Sequence, residues 1–306
     1  MFSIVIPLYN KAKSIVNTIN SILSQTYQKF EIVVVDDGST DSSAEKVLEI
    51  FDERIRLIRK ENGGVCSARN RGIKEAKYDY IALLDADDTW DENYLNEQVK
   101  MINDYPNAKM WGINYAEISN GELARYLPTG LSENFRGYVE DYFYIKNRIS
   151  DLFCSSSVVV KKETFEEVGF FDERIKYAED NDMWFRIIAS YPVAFYDKYM
   201  VFYQFDAENR ALSKTINLRY FLPYYVDKYS EYKTKNNRFY VWVNRWSSQH
   251  IRKYYFSNNK EQRIDAQIAV KKLDYNVLPK KYILLYKYPY FIGKLFNYLD
   301  NIYHKK

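Results

Sequence analysis

Through its first hundred residues the chain alternates short apolar runs with amphipathic stretches. The run "SIVIP" at 3–7 predicts a buried strand, and a helix follows over 13–23 with Ile15, Ile19, Ile22 and Leu23 on one face. A second strand is expected over 30–35. Ser42 and Glu45 have capping-box spacing at the head of a helix ending near Phe51. The pattern then predicts a short strand over 54–59, a helix over 65–76, a strand over 80–84, a helix over 92–103 and a strand over 109–118. Near-continuous apolar strands separated by helices predict an α/β fold, with a mostly parallel, Rossmann-like sheet covered on both faces. Residues 119–150 show no clear period, while 153–160 read as a strand, 182–190 as a helix and 193–205 as a return to the sheet. Beyond Ser213 the pattern changes to Tyr- and Lys-rich helical segments. The expected organisation is a catalytic domain over 1–213, with halves 1–115 and 116–213, and a mainly helical extension over 214–306.

Charge sharpens that division. The 306 residues carry a net charge of only +3, yet 214–306 hold 19 Lys and Arg against 6 Asp and Glu, and 15 of the 31 tyrosines. Residues 1–213 hold 25 against 35. Aromatics at 18% make a sizeable core affordable. The two cysteines, Cys66 and Cys154, predict no disulfide framework and a cytoplasmic setting. The first residues read as a strand, not as a signal peptide, and no run of about 18 apolar residues predicts a membrane span. The only histidines, His250 and His304, lie in the basic tail. Chemistry in the first 213 residues therefore has to run on carboxylates and oxygen-bound metals.

Three polar clusters follow the predicted strands: Pro7-Leu8-Tyr9-Asn10, Asp36-Asp37-Gly38-Ser39 and Asp85-Ala86-Asp87-Asp88. In an open parallel sheet all three face one crevice beyond the carboxyl ends of the strands. Asp, Gly and Ser are also ordinary turn residues, so the second cluster alone is weak. No glycine-rich phosphate loop is present: Gly63-Gly64 is too short and no Gly-Lys-Ser/Thr occurs. A diphosphate facing these acids needs a bridging cation, and acids one residue apart suit Mg²⁺ or Mn²⁺.

"IVIPLYNK" at 4–11, "VVVDDGSTDSS" at 33–43, "NGGVCSARNRGI" at 62–73 and "IALLDADD" at 81–88 together resemble the GT-A fold family 2 glycosyltransferases of the bacterial surface-polysaccharide type. The resemblance covers about 2–115 and continues more sparsely through "GFFDERIKYAEDNDMWFRI" at 169–187. It implies an inverting enzyme that moves one sugar from a nucleotide-diphosphate sugar to a glycan or lipid-linked acceptor. Pro7, Tyr9 and Asn10 would shape the nucleotide pocket. Tyr9 would stack on the base, a contact worth about 1–3 kcal/mol elsewhere, unless it is a rim aromatic. Asp37 would accept from a uracil N3–H, pointing to a UDP-sugar. Arg69 would approach base or phosphates, or lie on a helix surface. Asp85 would contact ribose or metal, Asp87 would ligate the metal, and Asp88 would support the sugar or the metal's surroundings.

Departure of the diphosphate builds negative charge that a divalent ion neutralises, so one base suffices where an inverting glycosidase needs two carboxyls. Asp180 matches the family's base; Glu179 and Asp182 are close rivals, and Asp180 as a mere helix cap is the alternative. The family often has a histidine after the last core strand. None stands here, and Arg210 or Ser213 would have to serve the diphosphate. The Gln-x-x-Arg-Trp signature of processive synthases is absent, which favours single-sugar transfer. The basic, aromatic tail favours contact with an anionic membrane surface, peripheral on the inner face, over a solvated basic face; no nucleic-acid module is recognised there. The competing functions are a sugar-nucleotide nucleotidyltransferase, which typically shows a glycine-rich basic loop after strand one, and a catalytically silent glycan- or sugar-nucleotide-binding module.

Overall fold

The computed structural model describes residues 1–125, 131–143, 152–206, 216–287 and 293–294. Arg210 and Ser213 lie outside them. The chain divides into two compact units, Met1–Glu173 with Glu179–Ser213, and Arg174–Ala178 with Lys214–Lys306.

The first unit is built on one sheet. Strands β1 (Phe2–Leu8), β2 (Phe30–Asp36), β3 (Ile55–Arg59) and β4 (Tyr80–Leu83) pair in parallel in the order β3-β2-β1-β4. β1 and β2 are almost wholly buried, because a strand covered on both faces has no side to give to water. Ile4, Ile6, Ile32 and Val34 meet Ile15, Ile19 and Ile22 of helix α1 (Ile15–Leu23), each buried apolar side chain contributing about 1.5–3 kcal/mol. Helix α2 (Ser43–Leu48) precedes β3, and α3 (Val65–Glu75) precedes β4. α3 approaches β1 through Gly72, where a Cβ would lie 2.3 Å from Val5 Cγ1; only glycine permits that approach.

The sheet then becomes mixed. After β5 (Thr89–Trp90), α4 (Tyr94–Asp104), β6 (Met110–Ser119), β7 (Glu122–Arg125) and β8 (Arg136–Tyr138), strand β9 (Val158–Lys161) runs antiparallel between β4 and β6. Helices α5 (Lys162–Val168) and α6 (Glu179–Ser190) lead to β10 (Val193–Gln204), which pairs in parallel with β6 and antiparallel with β5 and β8. The strand expected over 153–160 is half replaced by a 3-10 turn at Ser155–Ser157. Ser157 explains this: its hydroxyl donates to the Cys154 carbonyl and accepts from the Cys154 N–H, an alternative to the strand ladder. The capping box expected at Ser42 does not form, since that side chain makes no cap bond. The Asp41 carboxylate accepts from the Ser43 N–H at 3.0 Å instead and starts α2 one residue earlier in its chemistry.

The second unit is helical, with α7 (Tyr232–Lys235), α8 (Asn237–Tyr255), α9 (Lys260–Val270) and α10 (Lys280–Lys287), plus 3-10 segments before α7 and before α10. Its own core gathers Leu218, Val226, Ile251, Ala266 and Leu285. Tyr254, Tyr255, Tyr282 and Tyr286 are buried in that core, so part of the tail's aromatic content is packing rather than surface. Among the described residues, no helix is long and apolar enough to cross a membrane.

Candidate active site

Two strand-end loops are stitched to each other. Asn10 has φ 52°, a left-handed conformation that asparagine tolerates. Its amide oxygen accepts from the Thr40 N–H at 2.8 Å, and its own N–H donates to Ser39 Oγ at 3.1 Å. The Lys11 N–H donates to Ser43 Oγ at 2.8 Å, and the Ala12 N–H to Asp41 at 3.1 Å. Asn10 thus stitches the two loops together. Tyr9 beside it is 44% exposed, and Pro7 lies past the point where β1 stops pairing with β4.

Asp37 is buried at the end of β2. One carboxylate oxygen meets Lys60 Nζ at 2.5 Å and the Gly63 N–H at 3.0 Å; the other accepts from the Gly64 N–H at 2.7 Å. Gly64, at φ 89°, turns that segment into α3. Of roughly four acceptor positions on a carboxylate, three are taken by the 60–64 loop.

The three acids after β4 have three separate environments. A turn closed by the Asp88 N–H on the Asp85 carbonyl, 3.1 Å, sets them apart. Asp85 accepts from Arg69 at 2.7 Å. Asp87 pairs with Lys11 Nζ at 2.6 Å, and burial raises its carboxyl above the ordinary range despite that cation. Asp88 is 1% exposed, with one oxygen on Ser156 Oγ at 2.5 Å and the other on the Gln204 N–H at 3.0 Å. Both oxygens being occupied inside the chain, Asp88 ties β4 to the 155–157 turn and to the end of β10.

Arg69 joins this turn to α6. Its guanidinium is buried, donates to Asp85 and to Glu179 at 3.1 Å, and stands 5.4 Å from the Phe171 ring centre. It is buried rather than on the helix surface. Neighbouring Asn70 holds the Phe171 backbone on both sides, donating to its carbonyl and accepting from its N–H at 2.9 Å each. The three acids of α6 separate as well. Asp182 is fully buried and paired with Arg186 at 2.9 Å, while Arg186 also donates to the carbonyls of Val168, Gly169 and Phe170. Asp182 is therefore structural. Asp180 lies inside the first turn of α6 rather than capping it, half-buried, and its charge adds to burial in raising the Tyr115 and Tyr142 hydroxyls.

Burial first and the Asp180 charge second push the Glu179 carboxyl from its ordinary 4.5 up to about 7, against the pull of Arg69. Between those values the folded chain keeps a proton that the unfolded chain has lost, so this group's contribution to stability falls as pH rises through that window. Glu179→Gln has the same shape and no charge. It is expected to melt with the parent at about pH 4 and to be more stable at about pH 8, by up to roughly 3 kcal/mol. Thermal melts at the two pH values check this, and a variant less stable than the parent at the higher pH would contradict it.

The family model described as "Glycosyl transferase family 2" matches residues 3–169, more than half of the chain. The chain belongs to glycosyl transferase family 2. It is 32% identical over 211 residues to an uncharacterized glycosyltransferase of Rickettsia felis, covering 68% of this chain and 35% of that protein. It is 35% identical over 189 residues to glycosyltransferase GlyG of Streptococcus pneumoniae, covering 57% and 61%. Over 124 residues, 40% of this chain and 49% of the relative, it is 40% identical to the Escherichia coli UDP-Glc:alpha-D-GlcNAc-diphosphoundecaprenol beta-1,3-glucosyltransferase WfgD. The chain thus spans about a third of the Rickettsia relative's length and less than two thirds of the others. Among solved structures, S. aureus TarS 1–349 matches with a TM-score of 0.68 at 18% identity, covering 95% of this chain and 87% of that one. TarS 1–349 in complex with UDP-GlcNAc matches with a TM-score of 0.58 at 19% identity, covering 89% and 71%.

The GT-A fold expected from the sequence holds for this family 2 member. What pattern alone missed are the partners: Lys11, Lys60, Asn70 and Ser156. Lys11 is the signal that was visible, a cation directly after the "PLYN" cluster. Its acid lies 76 positions away and is fixed only by the fold.

Proposed function

We propose that the chain is an inverting glycosyltransferase that moves one sugar from a UDP-sugar to a hydroxyl of a glycan or lipid-linked saccharide. The observation that carries it is the convergence of separately held acids at the carboxyl ends of the parallel strands β2 and β4, flanking the Tyr9-Asn10-Lys11 end of β1, with Asp180 placed next to Glu179 in the Arg69 clamp. The UDP-GlcNAc complex of TarS and the donor and lipid-diphosphate acceptor in the name of WfgD are consistent with it.

Among the described residues no three His, Cys, Asp or Glu side chains cluster as a metal cage. Asp85 and Asp87 alone offer two hard oxygen donors, which fits Mg²⁺ or Mn²⁺ with positions left for phosphate oxygens. When bound, such an ion would neutralise the charge that builds on the departing diphosphate. The chain's own residues do the rest. Tyr9 offers its exposed ring to the base, and Asp37 has one acceptor position left for a uracil N3–H. Asp180 takes the proton of the acceptor hydroxyl as its oxygen bonds to the anomeric carbon from the face opposite the breaking bond. A UDP-sugar with the usual α-linkage then gives a β-linked product.

Thermal shift against a panel of UDP-sugars, with and without Mn²⁺, followed by UDP release with a saccharide acceptor, tests this function. No donor stabilising the chain in Mn²⁺ would overturn it. Asp87→Ala is expected to abolish the Mn²⁺-dependent part of UDP binding in calorimetry, and an unchanged titration would remove Asp87 from the metal.

A further inference from the structure

The two acids assigned to the metal are already neutralised within the chain. Arg69 holds Asp85 and Lys11 holds Asp87. These two cations differ in how they are held. Arg69 is buried on α3 and donates to acids on two elements at once, so it cannot leave Asp85 without abandoning Glu179. Lys11 has its backbone fixed by the Ser43 hydroxyl and by the stitching at Asn10 and Ala12. Its charge reaches Asp87 at the end of a four-carbon stem, and the pair is only partly enclosed, at 12% and 15% exposure. An ammonium on a flexible stem behaves as a mobile point charge.

An ammonium 2.6 Å from a carboxylate oxygen and a divalent ion on the same carboxylate repel each other at close range. We propose that Lys11 is an internal counter-ion that competes with the divalent metal for Asp87 and transfers to a diphosphate oxygen of the donor when metal and donor bind together. The inference rests on the metal-dependent UDP-sugar function proposed above. It makes the order of binding a property of this loop: metal alone is held off, and metal with diphosphate is admitted, because only the diphosphate gives the ammonium a new anion. Lys11 is thereby a positioning residue for the donor in the loaded site and a competitor in the empty one.

Opposite signs in two binding measurements test this. Lys11→Met keeps the length of the stem and removes the charge. By calorimetry it is expected to bind Mn²⁺ alone more tightly than the parent by roughly tenfold, and UDP at saturating Mn²⁺ more weakly by a similar factor, the size of effect of one charge-assisted contact. Lys11→Arg, which keeps the charge, is expected to stay near the parent in the first titration and guards against a general loss of fold, as do melting curves of both variants. If Lys11→Met leaves Mn²⁺ affinity unchanged or lowers it, the competition is overturned. If UDP affinity does not fall, the transfer to the diphosphate is overturned. Failure of the parent itself to bind UDP with Mn²⁺ would overturn the proposed function, and this inference with it, whereas a binding parent with an inert Lys11→Met removes this inference alone.

Discussion

Asp180→Asn is expected to lower turnover by about 10²–10⁴-fold, the range contributed by a positioned general base, while leaving UDP binding in Mn²⁺ close to that of the parent. The substitution keeps size and most hydrogen bonding, and it removes the only property the acceptor proton needs. The geometry separates Asp180 from its neighbours. Asp182 is enclosed with Arg186 and Glu179 is held by Arg69, whereas Asp180, the base proposed above, lies at the half-buried start of α6. UDP release measured with acceptor, alongside calorimetry with UDP and Mn²⁺, gives the two readouts. A variant with near-parent turnover would return the role to Glu179, whose carboxyl near 7 could exchange a proton at neutral pH. A variant that loses UDP binding as well would mean that Asp180 supports the donor site rather than the acceptor proton.

The difference between what pattern revealed and what it did not follows from distance along the chain. Buried strands such as Phe2–Leu8 and Phe30–Asp36 announce themselves because every residue of such a run must be apolar. Positions of acids relative to those strands follow at once, since a strand's end fixes where its next residues lie. Partners do not follow. Nothing local says that Asp87 meets Lys11, that Asp37 holds Gly63 and Gly64, or that Asp88 faces Ser156, because each pair is created by topology. That is why Asp85, Asp87 and Asp88 look interchangeable as letters and are not so in space. Elements that compete locally also escaped: Ser157 folds back on Cys154 and shortens the strand expected there. In the basic tail, composition counted tyrosines without telling inside from outside, and Tyr254, Tyr255, Tyr282 and Tyr286 turned out to be core.

Arg69→Leu is expected to destabilise the chain by about 3–5 kcal/mol, the cost of removing one partner from a buried charge group and leaving the others uncompensated. Two acids lose their cation at once, Asp85 on the strand-end turn and Glu179 on α6. The packing of the stem against Phe171 is replaced in part by leucine, so the loss is mainly electrostatic. The clamp is not an optimised stabiliser, since its Nε is buried without a partner among the described residues, a desolvation left uncompensated. Its value is geometric: one rigid fork fixes the turn that carries Asp87 to the helix that carries Asp180. Lysine at this position is a point charge and cannot bridge both acids, so Arg69→Lys is expected to restore only part of the loss. A double-mutant cycle with Glu179→Gln isolates the electrostatic share, because removing the stranded charge should recover stability that Arg69→Leu forfeits. Denaturant melts of the parent, both single variants and the double variant at neutral pH measure it. Strictly additive losses would show that Arg69 and Glu179 do not work as one unit.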